Sequence, residues 1–321
     1  MTFAGSRDRV EARLVPERGY PFDAFAVSGF PRRPGLALAR ALGLAAAAPA
    51  ACARILAQRR PDVVLGAGGY VAGPMVLAAW AKRIPAALTE ADAHLGLANR
   101  LAAPFARRVF LALPVGRDGG KYREVGRPIP AISRAAAREE ARARLGLPAD
   151  GPVVLVFGGS LGSQLLNDAA VDAWGAAGPA VLHLCGRRDY EQLAPRVGRD
   201  DYHLLAFLEE IGLAYGAADL AVARAGGSVW ELAAAGLPAV LVPGAFATGD
   251  HQEKNARWFE RAGGAVVVPE TEIARVAHVV SELLADAGRL GAMAEAMRAA
   301  ARPDAAEEIA DELVRLATAR R

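Results

Sequence analysis

Short apolar runs that end in glycine alternate with longer segments of helical periodicity along most of the 321 residues. The runs are rich in Val, Leu and Ala and too short for helices, which is typical of buried parallel strands. They lie at 63–65, 85–88, 152–157, 219–223 and 239–242. This alternation predicts an α/β fold in which helices cover parallel sheets.

The chain is long enough for two domains. A strand, a glycine turn and a helix follow one another at 66–74 and again at 158–163, with a charged segment between. We therefore predict two similar Rossmann-like domains that face each other across a cleft. The first covers residues 1–130 and is joined by the C-terminal helix 303–321, and the second covers 131–302. The strand, glycine-rich turn and helix that usually open such a domain are missing from the first.

The stretch 223–255 connects two predicted strand ends through a helix. Glycines 226 and 227 would let the backbone turn sharply and approach a ligand. Ser228 is the predicted N-cap, and Glu231 follows at capping-box spacing. Glu231 therefore has two interpretations. It is either half of a capping box or a carboxylate at the sheet edge where open α/β folds bind ligands.

A polar segment follows the next strand and carries His251, Gln252 and Asn255. We predict that it is a loop. A loop that places several hydrogen-bonding side chains after a buried strand is a better candidate for a binding site than an average polar loop.

The first glycine turn contains Gly68 and Gly69. Backbone N–H groups in such a turn, together with a following helix, form an anion site; tight packing is the alternative explanation. The next strand ends in a loop with Glu90, Asp92 and His94. Any of the three could act as a base beside a phosphate-bound substrate, or the loop is simply solvated.

The longest apolar stretch, 36–56, is interrupted by two arginines and a proline, so it does not predict a membrane span. It is either a buried helix or a basic-rimmed apolar surface that rests on a bilayer. The side chains that would form this surface are Arg32, Arg33, Leu36, Leu42 and Leu44.

Hydrophobic residues make up 53% of the chain and charged residues 23%, with a net charge of +3, as expected for a globular protein. Motifs for nucleic-acid binding are absent from the sequence; anionic ligands or an anionic membrane surface fit the charge. Two distant cysteines, Cys52 and Cys185, exclude a disulfide framework and a CxxC metal site. With no apolar segment of the signal-peptide type at residue 1, we expect a cytoplasmic location.

Five stretches carry a family resemblance: L-G-A-G-G-Y-V-A-G-P, V-G-R-P, F-G-G-S-L-G-S, A-G-G-S-V-W-E-L-A-A-A-G-L-P-A-V-L-V-P and D-H-Q-E-K-N-A. They resemble the MurG family of glycosyltransferases (glycosyltransferase family 28), and the resemblance covers nearly the whole chain. It implies a GT-B fold and transfer of GlcNAc from UDP-GlcNAc to the MurNAc 4-hydroxyl of lipid I. The product would be lipid II of peptidoglycan synthesis, formed with inversion.

The resemblance also implies roles for single residues. The implied donor-binding residues are Gly159, Ser160, Gly227, Ser228, Glu231, His251, Gln252 and Asn255, with Glu231 on the ribose hydroxyls. The implied acceptor-binding residues are Gly68, Gly69, Tyr70, Asn99 and Arg127. Glu90, Asp92 and His94 remain the catalytic candidates. It implies no cofactor, no built-in metal ion and no nucleic-acid partner, and a peripheral position on the cytoplasmic side of the cell membrane, on an anionic lipid surface.

The chain departs from the family pattern at several positions. The opening strand and its G-G-T-G-G-H turn are absent, so we expect that the start site is placed too late. Residues 89–92 read T-E-A-D where relatives have His-Glu-Gln-Asn, V-G-N-P reads V-G-R-P, and the turn before Glu231 is one residue shorter. Two alternatives follow. One is another GT-B glycolipid glycosyltransferase, and the other is a UDP-sugar-binding remnant without turnover because the first glycine loop is absent.

Overall fold

The computed structural model describes residues 1–29, 35–117, 119–159, 162–244 and 251–319. Contacts within the chain divide it into two units. Unit 1 comprises Met1–Gly126 and Ala306–Arg321, and unit 2 comprises Arg127–Ala305. The sequence predicts these boundaries at residues 130 and 302.

Unit 1 alternates short strands with helices, as the apolar runs predict. Its strands and helices before residue 126 are β1 (Phe3–Ser6), α1 (Glu11–Glu17), β2 (Phe22–Phe25), α2 (Leu36–Arg59), β3 (Val64–Gly66), α3 (Gly69–Ala81), β4 (Ala86–Glu90), α4 (Leu97–Ala102), β5 (Arg108–Leu111) and β6 (Tyr122–Glu124).

The strands of unit 1 form two separate parallel sheets. One has the order β3-β4-β5-β6, and the other consists of β1 and β2 alone. Within the described residues β1 pairs only with β2, and β3 pairs only with β4. The edge of β3 that faces away from β4 therefore carries no strand partner in this part of the chain.

One face of helix α2 packs against both sheets of unit 1. Its buried residues, Ala41, Ala48, Cys52 and Leu56, follow helical spacing. They share a hydrophobic cluster with residues of the β1–β2 pair and of the four-stranded sheet, including Phe25, Val27, Val64 and Val76. Near the end of α2, the guanidinium of Arg59 donates two hydrogen bonds to Asp23 of β2, at 2.8 and 2.9 Å.

The opposite face of α2 is open to solvent. Leu36 is 92% exposed and Leu42 54% exposed, whereas Leu44 is half-buried. Among the described residues, α2 is the helix whose length and apolar composition would suffice to cross a bilayer. The prediction of a buried helix therefore holds for one face only. Arg32 and Arg33 lie outside the described residues.

Unit 2 is built from six parallel strands with helices between them. Its elements are α5 (Arg138–Leu145), β7 (Val153–Phe157), α6 (Gln164–Trp174), β8 (Ala180–Leu184), α7 (Tyr190–Leu193), β9 (Tyr202–Leu205), α8 (Ile211–Ala217), β10 (Leu220–Ala223), α9 (Val229–Ala235), β11 (Ala239–Leu241), α10 (His251–Arg261), β12 (Ala265–Val267), α11 (Val276–Ala285) and α12 (Ala287–Ala300). The last helix, α13 (Ala305–Thr318), packs through Ile309 on Phe110 and Val125 of unit 1.

The sheet of unit 2 has the order β12-β11-β10-β7-β8-β9. The chain builds outward from β7 in one direction through β8 and β9, and then in the other through β10, β11 and β12. The direction changes between β7 and β10. In doubly wound sheets ligands bind at the carboxyl ends of the strands beside such a point, so the loops after β7 and β10 are where a site is expected.

A buried arginine lies at the amino ends of the strands of this sheet, opposite the expected site. Arg142 of α5 donates to Asp219 at 2.8 Å, and to the carbonyl oxygens of Ala217, Pro148, Ala149 and Gly151 at 2.9–3.0 Å. Its side chain is 2% exposed. One guanidinium thus joins the helix, the strand entrance and the loop at the amino ends of the strands.

Candidate active site

The turn after β7 is shaped by glycines that its packing requires. A Cβ on Gly158 would lie 2.5 Å from the Ser163 nitrogen, and a Cβ on Gly162 would lie 2.2 Å from the Cys185 oxygen. Gly159 adopts a φ of +89°, and a Cβ there would meet nothing within 4 Å. The turn is therefore packed on one side and open at Gly159. Ser160 lies outside the described residues.

The turn after β10 does not have the geometry that the sequence predicts. Ser228 has helical dihedral angles, φ −63° and ψ −16°, and makes no capping hydrogen bond through its side chain. The helical turn has already begun, because the Val229 nitrogen donates to the Gly226 oxygen at 3.3 Å. The predicted capping box of Ser228 and Glu231 is therefore wrong.

The carboxylate of Glu231 is instead held by a tyrosine. The Tyr215 hydroxyl of α8 donates to Glu231 Oε2 at 2.6 Å. Tyr215 is buried, its ring packs on Phe157 at the end of β7, and burial and the Glu231 charge raise the pKa of its hydroxyl. Within the described residues Glu231 Oε1 has no hydrogen-bond partner. Glu231 thus presents one oriented, available oxygen beside the two glycine turns.

The residues predicted in a polar loop lie on a helix. His251, Gln252 and Asn255 belong to α10. Gln252 Oε1 accepts from the Gly244 nitrogen at 2.8 Å, and the buried Asn255 side chain donates to the Ala225 oxygen at 3.2 Å. Both side chains therefore connect α10 to the residues that follow β10 and β11, close to the turn after β10.

Arg224 connects the same strand ends. Its guanidinium donates to Ser163 Oγ at 2.9 Å, to the Val242 oxygen at 3.1 Å and to Glu270 at 2.5 Å. Three contacts from one planar group fix the turn after β7 relative to β10 and β11. The sequence gives no signal for the roles of Arg224 and Tyr215, since their partners are distant along the chain.

An exposed aromatic ring lies two residues beyond β9. Phe207 is 52% exposed, and the guanidinium of Arg187 stands 5.5 Å from its ring centroid. A ring of this kind at a sheet edge offers a stacking surface for a planar base. The sequence gives no signal for it, because one phenylalanine after a strand is equally typical of a core.

Behind the turn after β7 lies a buried polar network. His183 Nδ1 lies 2.8 Å from the Tyr202 hydroxyl, and His183 Nε2 lies 3.0 Å from Asn167 Oδ1. The Asn167 amide donates to the Cys185 oxygen and to Asp189. Because the Asn167 oxygen is thereby turned to His183, Nε2 carries the proton and Nδ1 accepts from the tyrosine. The histidine is neutral.

We expect this histidine to make the protein less stable in acid. Burial lowers the pKa of His183 to about 3, whereas an unfolded histidine has a pKa of about 6.5. Between these values only the unfolded state binds the proton, so the free energy of unfolding falls as the pH falls through this range. At pH 4.5 the loss would be about 3 kcal/mol, measured by denaturant unfolding at pH 7 and pH 4.5.

His183→Gln should remove that part of the pH dependence. His278→Gln is the matched control, since His278 on α11 is exposed and pairs only with Glu282 among the described residues. An unchanged slope in His183→Gln would refute the assignment.

In unit 1, the loops after β3 and β4 lie side by side. Gly68 and Gly69 have φ of +89° and +68°, and a Cβ on Gly68 would lie 3.8 Å from the Thr89 oxygen. Tyr70 follows at the start of α3, and its hydroxyl accepts from Arg9 Nε at 2.9 Å. The structure therefore brings the predicted glycine turn and the acidic loop to one sheet edge.

The carboxylate of Glu90 accepts hydrogen bonds from the backbone of its own loop. Its Oε1 accepts from the nitrogens of Ala91 and Asp92, and its Oε2 from the Gly96 nitrogen and the Asn99 amide, at 2.9–3.4 Å. Both carboxylate oxygens of Glu90 are therefore engaged within its own loop and helix α4. The geometry favours Glu90 as the organiser of the loop, and leaves Asp92 and His94, both half-buried, as candidate bases.

Asn99 is buried beside this loop. Its amide nitrogen donates to the Thr89 oxygen and to Glu90, both at 2.9 Å. Its Oδ1 is buried and, among the described residues, unpartnered. Arg127, predicted with the acceptor residues, belongs to unit 2, where its guanidinium lies against Gly227. In the part of the chain that the structure describes, no group of three or more His, Cys, Asp or Glu residues could hold a metal ion.

Comparison with protein families matches both units. Residues 2–111 match the glycosyltransferase family 28 N-terminal domain, and residues 153–309 match the glycosyltransferase family 28 C-terminal domain. The predicted fold class, α/β with two Rossmann-like domains, is confirmed.

Curated relatives match over nearly the whole chain. A UDP-N-acetylglucosamine--N-acetylmuramyl-(pentapeptide) pyrophosphoryl-undecaprenol N-acetylglucosamine transferase from Salinibacter ruber is 41% identical, over 99% of this chain and 88% of its own. The enzyme of the same name from Halothermothrix orenii is 35% identical, over 94% of this chain and 87% of its own.

Solved structures agree. MurG of Acinetobacter baumannii superimposes with a TM-score of 0.79 at 28% identity, covering 98% of this chain and 90% of its own. A UDP-GlcNAc 2-epimerase from Neisseria meningitidis shares the fold at 13% identity, with a TM-score of 0.61 and 98% of both chains covered. With both domain models matched and relatives above 30% identity along nearly its full length, the chain belongs to glycosyltransferase family 28.

Proposed function

We propose that the protein transfers GlcNAc from UDP-GlcNAc to the MurNAc 4-hydroxyl of undecaprenyl-pyrophosphoryl-MurNAc-pentapeptide, lipid I, and so forms lipid II for peptidoglycan. The observation that carries the proposal is Glu231, whose oriented carboxylate lies at the switch point of the second sheet beside two glycine turns. The activity named for the relatives from Salinibacter ruber and Halothermothrix orenii indicates the sugar and the acceptor.

The donor would bind at the carboxyl edge of the unit 2 sheet. Glu231 Oε1 would accept hydrogen bonds from the ribose, since it is the oxygen that Tyr215 leaves available. The open backbone at Gly159 and Gly226, where a Cβ would meet nothing within 4 Å, would lie along the diphosphate. Phe207 would stack on the uracil ring. Gln252 and Asn255 would hold the turn after β10 in place beside the sugar.

The reaction forms a bond between the acceptor oxygen and the anomeric carbon, while the bond from that carbon to the phosphate oxygen breaks. The electron pair leaves with UDP, and the proton of the hydroxyl goes to a base. We place this base at Asp92 or His94, since Glu90 is engaged by its own loop. Gly68, Gly69, Tyr70 and Asn99 would contact the acceptor. We also propose that the reaction needs no metal ion, so that a chelator leaves the rate unchanged.

The direct test is a transfer assay with UDP-GlcNAc and a lipid I analogue, run on the wild type, Asp92→Asn and His94→Asn. Formation of the lipid II analogue supports the proposal, and the variant that loses turnover while it still binds both substrates identifies the base. Binding of UDP-GlcNAc without transfer to any glycolipid would instead support the UDP-sugar-binding remnant. Transfer to a different glycolipid only would correct the acceptor.

We further propose that the exposed face of α2 attaches the protein to the cytoplasmic side of the cell membrane. Leu36 and Leu42 point away from the core, and burying an exposed leucine in an apolar phase is worth about 1.5–3 kcal/mol. Replacing both by Asp should therefore lower binding to phosphatidylglycerol-containing vesicles by about 100-fold or more, measured by co-sedimentation.

Val314→Asp serves as the control, because Val314 is an exposed apolar residue of unit 1 on a different helix. It should change neither vesicle binding nor the melting temperature. The proposal would be wrong if Leu36→Asp/Leu42→Asp bound vesicles like the wild type, or if the variant lost its folded structure and thus showed α2 to be a core helix on both faces.

A further inference from the structure

Gly227 has no conformational reason to be glycine. Its φ is not among the positive values found for sixteen other glycines of the described chain. A Cβ there would instead collide with Arg127, at 2.1 Å from Nη1, 2.3 Å from Cζ and 2.7 Å from Nη2. The guanidinium of Arg127 therefore occupies the space that the Cβ of any other residue at position 227 would need.

Among the partly buried arginines that the structure describes in unit 2, Arg127 differs in lacking an ion-pair partner. Other partly or fully buried arginines of this unit form ion pairs, as Arg224 does with Glu270 and Arg142 with Asp219. Arg127 is half-buried, yet among the described residues it has neither an ion-pair nor a hydrogen-bond partner. A cation that is partly withdrawn from water without a partner is costly, and an anionic ligand would offset that cost.

We propose that Arg127 binds the diphosphate of the donor, and so is a donor-specificity residue rather than an acceptor residue. The guanidinium is planar and presents paired N–H donors that match phosphate oxygens. The guanidinium packs against Gly227, in the turn that precedes the helix of Glu231, so we infer that one ligand reaches both side chains. The inference rests on the proposed function only for the identity of the donor as a nucleoside diphosphate sugar.

The position of Arg127 in its own unit supports the donor assignment. Arg127 is the first residue of unit 2, and its contact with Gly227 lies entirely within that unit. The residues predicted to bind the acceptor, such as Gly68 and Asn99, lie in unit 1. A guanidinium within the donor-binding unit would discriminate between donors by the number of phosphates they carry.

The test compares the affinities for UDP and for uridine, each measured by competition against a labelled UDP. Arg127→Gln should weaken UDP binding by about 10-fold or more, because hydrogen bonds to charged groups are the stronger ones. Uridine affinity should stay the same, and Arg127→Lys should retain part of the UDP affinity. In the transfer assay, KM should rise for UDP-GlcNAc and not for the lipid I analogue.

A second variant probes the same contact from the other side. Gly227→Ala would push away only the far end of a flexible side chain, so we expect the protein to fold as before while UDP affinity falls as it does in Arg127→Gln. The double variant should show no further loss, because both changes remove one interaction. Arg289→Gln, at an exposed residue of α12, controls for the lost unit of positive charge and should leave UDP affinity unchanged.

Two outcomes would overturn the inference. One is UDP affinity in Arg127→Gln within about twofold of the wild type, since a charge-assisted hydrogen bond is worth more than that. The other is a higher KM for the lipid I analogue alone, which would return Arg127 to the acceptor side. Failure of the proposed function looks different, because the wild type would then fail to bind UDP, or would bind it without transferring GlcNAc.

Discussion

Glu231→Gln should lower kcat/KM for UDP-GlcNAc by about 100-fold, because a charged acceptor contributes about 1.5–3 kcal/mol to each hydrogen bond and tenfold corresponds to 1.4 kcal/mol. The amide keeps the size of the side chain and can still accept from Tyr215. Stability should therefore change little, with the melting temperature within about 2 °C of the wild type. Steady-state kinetics and thermal unfolding measure the two effects separately.

A donor that lacks a ribose hydroxyl shows whether Glu231 acts on the ribose. With 2′-deoxy-UDP-GlcNAc the wild type should lose activity, and Glu231→Gln should lose much less in addition. Tyr215→Phe should give a smaller loss of the same kind, since it frees the carboxylate without removing it. Glu282→Gln, an exposed residue of α11, is the matched control. If the melting temperature of Glu231→Gln fell far below that of the wild type while kcat/KM fell, the carboxylate would act by stabilising the fold.

Arg142→Met should destabilise the protein by about 3–5 kcal/mol, because it leaves the carbonyl oxygens of Pro148, Ala149, Gly151 and Ala217 without this donor and removes one of the two arginines that pair with Asp219. For a unit of this size the melting temperature would fall by about 10 °C or more. Methionine fills a similar length of apolar space, so the loss reports on the hydrogen bonds rather than on a cavity. The measurement is thermal or denaturant unfolding at neutral pH.

Arg144→Met is the control on the same helix. Arg144 is 46% exposed and pairs with the exposed Glu210, and an exposed ion pair contributes about 0–1 kcal/mol. A melting temperature that falls equally in both variants would contradict the proposed role of Arg142. At a temperature where both remain folded, transfer activity should match the wild type, since Arg142 lies at the amino ends of the strands.

The strands and glycine turns of unit 2 could be predicted because their signals are local. Val153–Phe157 is a continuous apolar run that ends in glycine, and a parallel sheet buried on both faces produces that pattern. Since the carboxyl ends of parallel strands meet at one edge, the turns that follow the strands along the chain indicate the general location of the site. The spatial order of the strands in the sheet, with β7 beside β10, is visible only in the structure.

The contacts inside the site could not be predicted, because they join residues far apart in sequence. Ser228 and Glu231 have the spacing of a capping box, yet a competing hydrogen bond from Tyr215 takes the carboxylate. Gly227 looked like a turn glycine, but packing against Arg127 explains it. Glu90 looked like a free acid until its loop folded back on it. For Glu231 and Gly227 a partner distant in sequence decided between two interpretations that local sequence left open, and for Glu90 the fold of its own loop decided.

The separation of the two sheets in unit 1 has a thermodynamic consequence. A pair of strands alone is marginally stable, so β1 and β2 depend on α2, whose buried face shares a cluster with them and whose Arg59 binds Asp23. Whatever binds the folded form of α2 raises its stability by mass action. If α2 rests on a bilayer, lipid binding and the ordering of the β1–β2 pair are linked equilibria, and each strengthens the other.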